Sequence, residues 1–147
     1  MTRVQLDEDE GSILPLTIFY GTLALVMVML VVSASSLYLE RKRLFTVADG
    51  AALVGAEAFE LDEVTATSDG SVGVELDSGR VRNAVELYLA ENPMNDFDSL
   101  RVVRADSVDG RSATVVLRSN WRPPVVSILV PEGVPVEVTA VARSVFD

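Results

Sequence analysis

Residues 13–39 read ILPLTIFYGTLALVMVMLVVSASSLYL, 27 positions without a charge. At about 1.5 Å of rise per residue such a helix is about 40 Å long, more than the ~30 Å hydrocarbon core of a bilayer requires. The run predicts a membrane-spanning helix. Two other readings fit it less well. A small soluble domain seldom buries a helix of this length on every face, and a secretory signal has an apolar core of only about 7–15 residues behind a basic flank. Val32-Ser33-Ala34 before Ser35 offers small residues of the kind a signal peptidase accepts, but the flank ahead of the run is acidic. An uncleaved anchor is therefore the expectation, with Pro15 near its start, where a missing N–H costs a helix little.

Upstream, residues 1–12 form a short polar tail or leader, expected in the cytoplasm, with Asp7-Glu8-Asp9-Glu10 before Gly11. Gly11 is the candidate position for leader processing. Type IV prepilin leaders resemble this arrangement of charges, glycine and apolar helix, but they carry Glu at the fifth position after the cut, where this chain has Leu16. Within the span, Gly21, Ala24 and Ala34, the last inside the patch Ser33-Ala34-Ser35-Ser36, are small enough to admit a second helix at close range.

Downstream, Glu40-Arg41-Lys42-Arg43 is followed by LFTVADGAALVGAEAF. Ala48, Ala52 and Ala56 recur at four-residue spacing, and Ala51 and Gly55 lie on the adjoining face, so one helix continues from about Pro15 to Phe59. Residues 40–60 thus read as a helical stalk. The small residues suit either a seam with a neighbouring subunit or a seat for the chain's own sheet. By the positive-inside rule, Arg41-Lys42-Arg43 places this flank in the cytoplasm.

Composition narrows the function. The chain carries 12 Lys+Arg against 22 Asp+Glu, and residues 40–147 alone hold 18 acidic and 11 basic side chains, a net of −7. Phosphate binding needs a basic face, so nucleic acid is not an expected partner. With neither Cys nor His, there is no disulfide, no Cys/His zinc site, no thiol nucleophile and no imidazole base. No cofactor is expected. Asp96 with Asp98, and Asp106 with Asp109, are the closest approach to paired carboxylates, and Asp at such spacing in loops is more often a turn former. No catalytic residue is assigned.

The remainder, residues 61–147, reads as an α+β head. Residues 61–73 are a polar loop leading to a short strand at 72–76. Ser78 is the expected N-cap of a helix that puts Val81, Ala84, Val85, Tyr88 and Leu89 on one face and stops at Asn92-Pro93. Two strands, 100–108 and 112–120, flank a turn at Asp109-Gly110, and Trp121-Arg122-Pro123-Pro124 breaks the second. A last strand, 135–146, points Val136, Val138, Ala140 and Ala142 to one side. The architecture expected is a small antiparallel sheet of three or four strands packed with one amphipathic helix behind a long anchor. Between the strands, Val125, Ile128 and Leu129 belong to an apolar, proline-flanked segment. It reads as a core-filling turn or, with Trp121, as a patch for a partner or the membrane surface.

Tyr38, Glu40, Arg41, Arg43, Leu44, Ala48, Asp49, Ala51, Ala52, Leu53, Gly55 and Ala56, directly behind an N-terminal anchor, resemble the TadE/TadG-like proteins of bacterial tight-adherence (Flp) pilus systems. The closing VEVTAVARSV is similar to the final strand of that family. Val47 and Gly50 stand where the family usually has Ala, and Phe45 where Gln is frequent. The resemblance implies a single-pass cytoplasmic-membrane protein with an extracytoplasmic head, pilin-like in outline. It would act structurally as a minor pilin or pseudopilin-like component. Its partners would be the bilayer and other pilus or membrane-complex subunits through the N-terminal helix, in homo- or hetero-oligomers. A membrane-tethered ligand-binding or adaptor module unrelated to pili is the other class the residues admit.

Overall fold

In a computed structural model the residues described are 13–58, 65–66, 72–73, 76–92, 97–123 and 126–143. One helix, α1 (Ile13–Ala56, 44 residues), carries the rest. Nothing interrupts it, because its one proline lies in the first turn and its glycines are isolated. The hydroxyls of Thr17, Thr22 and Ser35 donate to the carbonyls of Ile13, Ile18 and Val31 at 2.8–2.9 Å. These three hydroxyls are thereby satisfied within the helix, as a lipid-facing surface requires.

The helix has two halves with different surroundings. From residue 13 to residue 32 every side chain is exposed. From Ser33 onward a stripe at three- and four-residue spacing turns inward. Leu37 and Val47 are partly covered, and Leu44, Ala48, Ala51, Ala52 and Ala56 are fully buried. The segment expected as a stalk is thus part of the head's own core.

Following α1 are β1 (Thr65–Ala66) and β2 (Val72–Gly73), paired antiparallel. A short ladder therefore stands where the composition suggested only a loop and one strand. The helix α2 (Ser78–Glu91) buries Val81 and Val85 and packs Tyr88 and Leu89 against the core. Its N-cap is Asp77, one residue earlier than expected: the Asp77 carboxylate accepts from the N–H groups of Gly79 and Arg80 at 2.9 and 3.1 Å. Ser78 is used differently. Its hydroxyl donates to the Ser107 carbonyl at 3.0 Å and accepts from the Ser107 N–H at 3.1 Å, tying α2 to the sheet.

The sheet is a three-stranded antiparallel meander of β3 (Arg101–Asp106), β4 (Ser112–Trp121) and β5 (Val134–Arg143), in that order. A register shift between Val102 and Arg104 marks a bulge in β3. Central β4 is buried along most of its length, including Val115, Val116 and Leu117, while β5 alternates cleanly, with Val136, Val138 and Ala140 inward. Trp121 is the last residue of β4, paired with Val134, rather than the residue that breaks it. A single turn of helix, α3 (Val126–Leu129), joins β4 to β5.

At the β3–β4 turn Gly110 has φ 67°, a left-handed conformation that glycine adopts without steric cost. The Asp109 carboxylate accepts from the N–H groups of Arg111 and Ser112 at 3.0 and 2.7 Å and from the Ser112 hydroxyl at 2.9 Å. These bonds, the Arg111 N–H foremost, hold its pKa down at about 2, against an ordinary 3.8. A depressed carboxylate stabilises the fold above its unfolded-state pKa, and that stabilisation is lost as pH falls through the folded value. Acid unfolding between about pH 4 and pH 2 is therefore expected to be shallower in Asp109→Ala than in the parent, as read by circular dichroism across that range.

Gly55 sets how closely α1 meets the head. A Cβ there would lie 3.1 Å from Val81 Cγ1 and 3.2 Å from Ala113 Cβ. Gly55→Ala is expected to be nearly neutral, because helix propensity returns up to about 1 kcal/mol against a small crowding cost. Gly55→Val is expected to destabilise by about 1–3 kcal/mol through overpacking. Urea unfolding followed by the fluorescence of the single tryptophan measures both.

Candidate interaction site at the helix and head junction

Strand β4 runs antiparallel to α1: Ala113 lies by Gly55, Ser119 by Glu40 and Trp121 by Ser36. The last two contacts form a polar clasp where α1 leaves the head. The Trp121 indole N–H donates to Ser36 Oγ at 3.2 Å. The Ser119 hydroxyl, fully buried, lies 3.3 Å from both Glu40 Oε1 and the Asp98 carbonyl, so its single proton is shared between two acceptors. The Asp98 carbonyl also accepts from the Asn120 N–H at 2.9 Å, and the Asp98 carboxylate pairs with Arg122 at 3.0 Å. Ser36, Glu40, Asp98, Asn120, Trp121 and Arg122, with Pro123, line a shallow cleft of about 290 Å³, beneath which Ser119 is buried. A second groove, about 400 Å³, runs along α1 and passes from apolar Val31, Val32 and Leu39 to Ser35, Glu40 and Arg43.

The clasp joins α1 to the far end of β4 and to the segment before β3. Asp98 is held by Arg122, and its carbonyl and the Glu40 carboxylate accept from the same serine hydroxyl. What the arrangement fixes is the direction in which the bare half of α1 leaves the sheet. Arg41, Lys42 and Arg43 are exposed beside it. The other carboxylates considered for chemistry are engaged apart from one another: Asp106 pairs with Arg104 at 2.7 Å, and Asp109 closes the hairpin turn.

The small residues singled out in the sequence fall into two groups. Gly21, Ala24 and Ala34 are exposed, and a Cβ on Gly21 would meet nothing within 4 Å. Ala48, Ala52, Gly55 and Ala56 are buried against the chain's own head, which is the seat for the sheet rather than an open seam. Trp121 is only 8% exposed, so it is a core residue and not a free interfacial aromatic. Ile128 and Leu129 lie in α3, their side chains outside the described part, and Gly11, Val125 and Asp96 lie outside the described residues.

Sequence reasoning missed the clasp itself. Its signals were present: Ser119 is a polar residue at an inward position of an alternating strand, and Glu40 is the first charge after the apolar run. Neither shows its partner without the antiparallel docking of β4 on α1.

Comparison with known proteins bears on the same half of the fold. Residues 11–58 match a family model described as "putative Flp pilus-assembly TadE/G-like". No curated protein and no solved structure matches the chain. The match runs from just ahead of α1 to just past its buried end, about a third of the sequence, and over that stretch the chain is similar to the family so described.

Proposed function

We propose that this chain is a membrane-anchored, minor pilin-like component of a tight-adherence pilus assembly system, structural rather than catalytic. The observation that carries the proposal is the division of α1. Its bare segment, residues 13–32, has 20 positions, every one exposed. At about 1.5 Å per residue that is about 30 Å, the thickness of a bilayer's hydrocarbon core. The notional 40 Å run thus becomes a span of matched length plus about two turns, residues 33–39, of which Ser33, Ser36 and Leu37 are partly covered. The N-terminus lies in the cytoplasm and the head outside, with the span presenting Gly21 and Ala24 to neighbouring helices.

A photo-crosslinking amino acid placed at Gly21 or Ala24 in the protein's own cell tests the role. Adducts to other subunits of the pilus machinery are expected from these positions and not from exposed Leu87 on the head's α2. Adducts to no protein, or only to proteins unconnected with pili, would favour a tethered adaptor instead.

A further inference from the structure

Because β4 runs antiparallel to α1 and ends at Ser36, the connection to β5 lies at the end of the head from which the bare helix emerges. That connection is unlike the rest of the acidic surface. Between Arg122 and Glu132 the sequence is PPVVSILVP, without a charge. Val130 is 42% and Val134 36% exposed, and Pro135 is exposed beside them.

Part of its backbone is satisfied within the segment. The N–H groups of Ser127, Val130 and Gly133 donate to the carbonyls of Pro123, Val126 and Val130 at 2.8–3.0 Å. Pro123, Pro124, Pro131 and Pro135 have no N–H to satisfy. Each of these pairings and prolines removes a donor that would otherwise need a partner, which is the main cost of placing irregular backbone near lipid, and interfacial depth leaves water for the rest. Charge stands at its margins. Arg122 pairs with Asp98 and donates from Nε to the Glu132 carbonyl at 3.3 Å, while Glu132 itself is exposed. On α1, Arg41, Lys42 and Arg43 lie about 8–10 Å beyond Ser36 along the axis, within reach of anionic headgroups.

We propose that the β4–β5 connection, through α3, Val130 and Val134, rests in the boundary between headgroups and acyl chains as a second membrane contact, so that the head stands on lipid beside its own anchor. The proposal rests on α1 spanning the bilayer. The occupant is lipid rather than protein because this charge-free connection lies at the end of the head from which the 20-residue bare span emerges. Exposed Glu132 limits it to interfacial depth, about 5–10 Å.

The chain has no cysteine, so single nitroxide labels can be placed by Val130→Cys, Val28→Cys and Asp109→Cys in the full chain. Vesicles of phosphatidylethanolamine and phosphatidylglycerol serve as the probe, with relaxation by lipid-soluble oxygen compared with relaxation by a water-soluble nickel chelate. The Val130 and Val28 labels are expected to favour oxygen, and the Asp109 label, on the hairpin at the opposite end of β4, to favour the chelate. A Val130 label that follows Asp109 while Val28 stays in lipid would overturn the second contact and leave the span standing. Protection of Val130 from both reagents would overturn it in favour of a protein partner. A Val28 label in water would overturn the span and the second contact together.

Discussion

Leu44→Ala is expected to lower the stability of the head by about 2–5 kcal/mol. Leu44 is the one large side chain of α1 among the fully buried residues; the other buried α1 positions are alanines and a glycine. The helix consequently lies close to the sheet and drives a single leucine into it. With so few large groups on the helix side, the neighbours can do little to fill the space that truncation leaves. A loss of this size is a large share of the ~5–15 kcal/mol available to a domain. Urea unfolding of the full chain in detergent, read by Trp121 fluorescence, should show a lower midpoint with the slope unchanged. The same measurement on Leu39→Ala, an exposed position one turn and a residue earlier, should show almost no change.

The double change Leu23→Asp with Val26→Asp is expected to abolish stable membrane insertion while leaving the head folded. Both positions are exposed and lie near the middle of the bare segment. An aspartate at the centre of a span costs about 2.5–3.5 kcal/mol, so two cost about 5–7 kcal/mol. Neither residue belongs to the buried core. Extraction at alkaline pH measures the effect: the parent should stay with the membrane pellet and the variant should move to the supernatant. A variant that remains in the pellet with a folded head would mean that residues 13–32 are not the anchor.

Much of this fold was legible in the residues because strong, local signals decide it. An uninterrupted apolar run, four-residue alanine spacing, Asp109-Gly110 and the alternation of β5 each act within a few positions. The misses were nonlocal or competitive. Asp77 and Ser78 both suit an N-cap, and the choice falls to Asp77 because Ser78 is held by Ser107, 29 positions away. Alanine spacing from 48 to 56 fits a subunit seam and an internal seat equally, and only the placement of Ala113, Val81 and Val85 against Gly55 distinguishes them. Trp121 next to two prolines looked like a strand breaker at a surface. Its pairing with Val134 and its bond to Ser36 draw it inside. The candidate site was legible only in its parts, since Glu40, Ser119 and Asp98 are brought together from three separate segments.

The positive-inside rule and the family resemblance give opposite orientations, and one measurement decides between them: a reporter enzyme active only outside the cytoplasm, fused after Asp147 and, in a companion, after Phe59. Activity from both fusions is the expected result, with the head outside and α1 crossing from a cytoplasmic N-terminus. Two stable but silent fusions would contradict it, showing that Arg41-Lys42-Arg43 hold the head in the cytoplasm and that the chain is not an external pilus subunit.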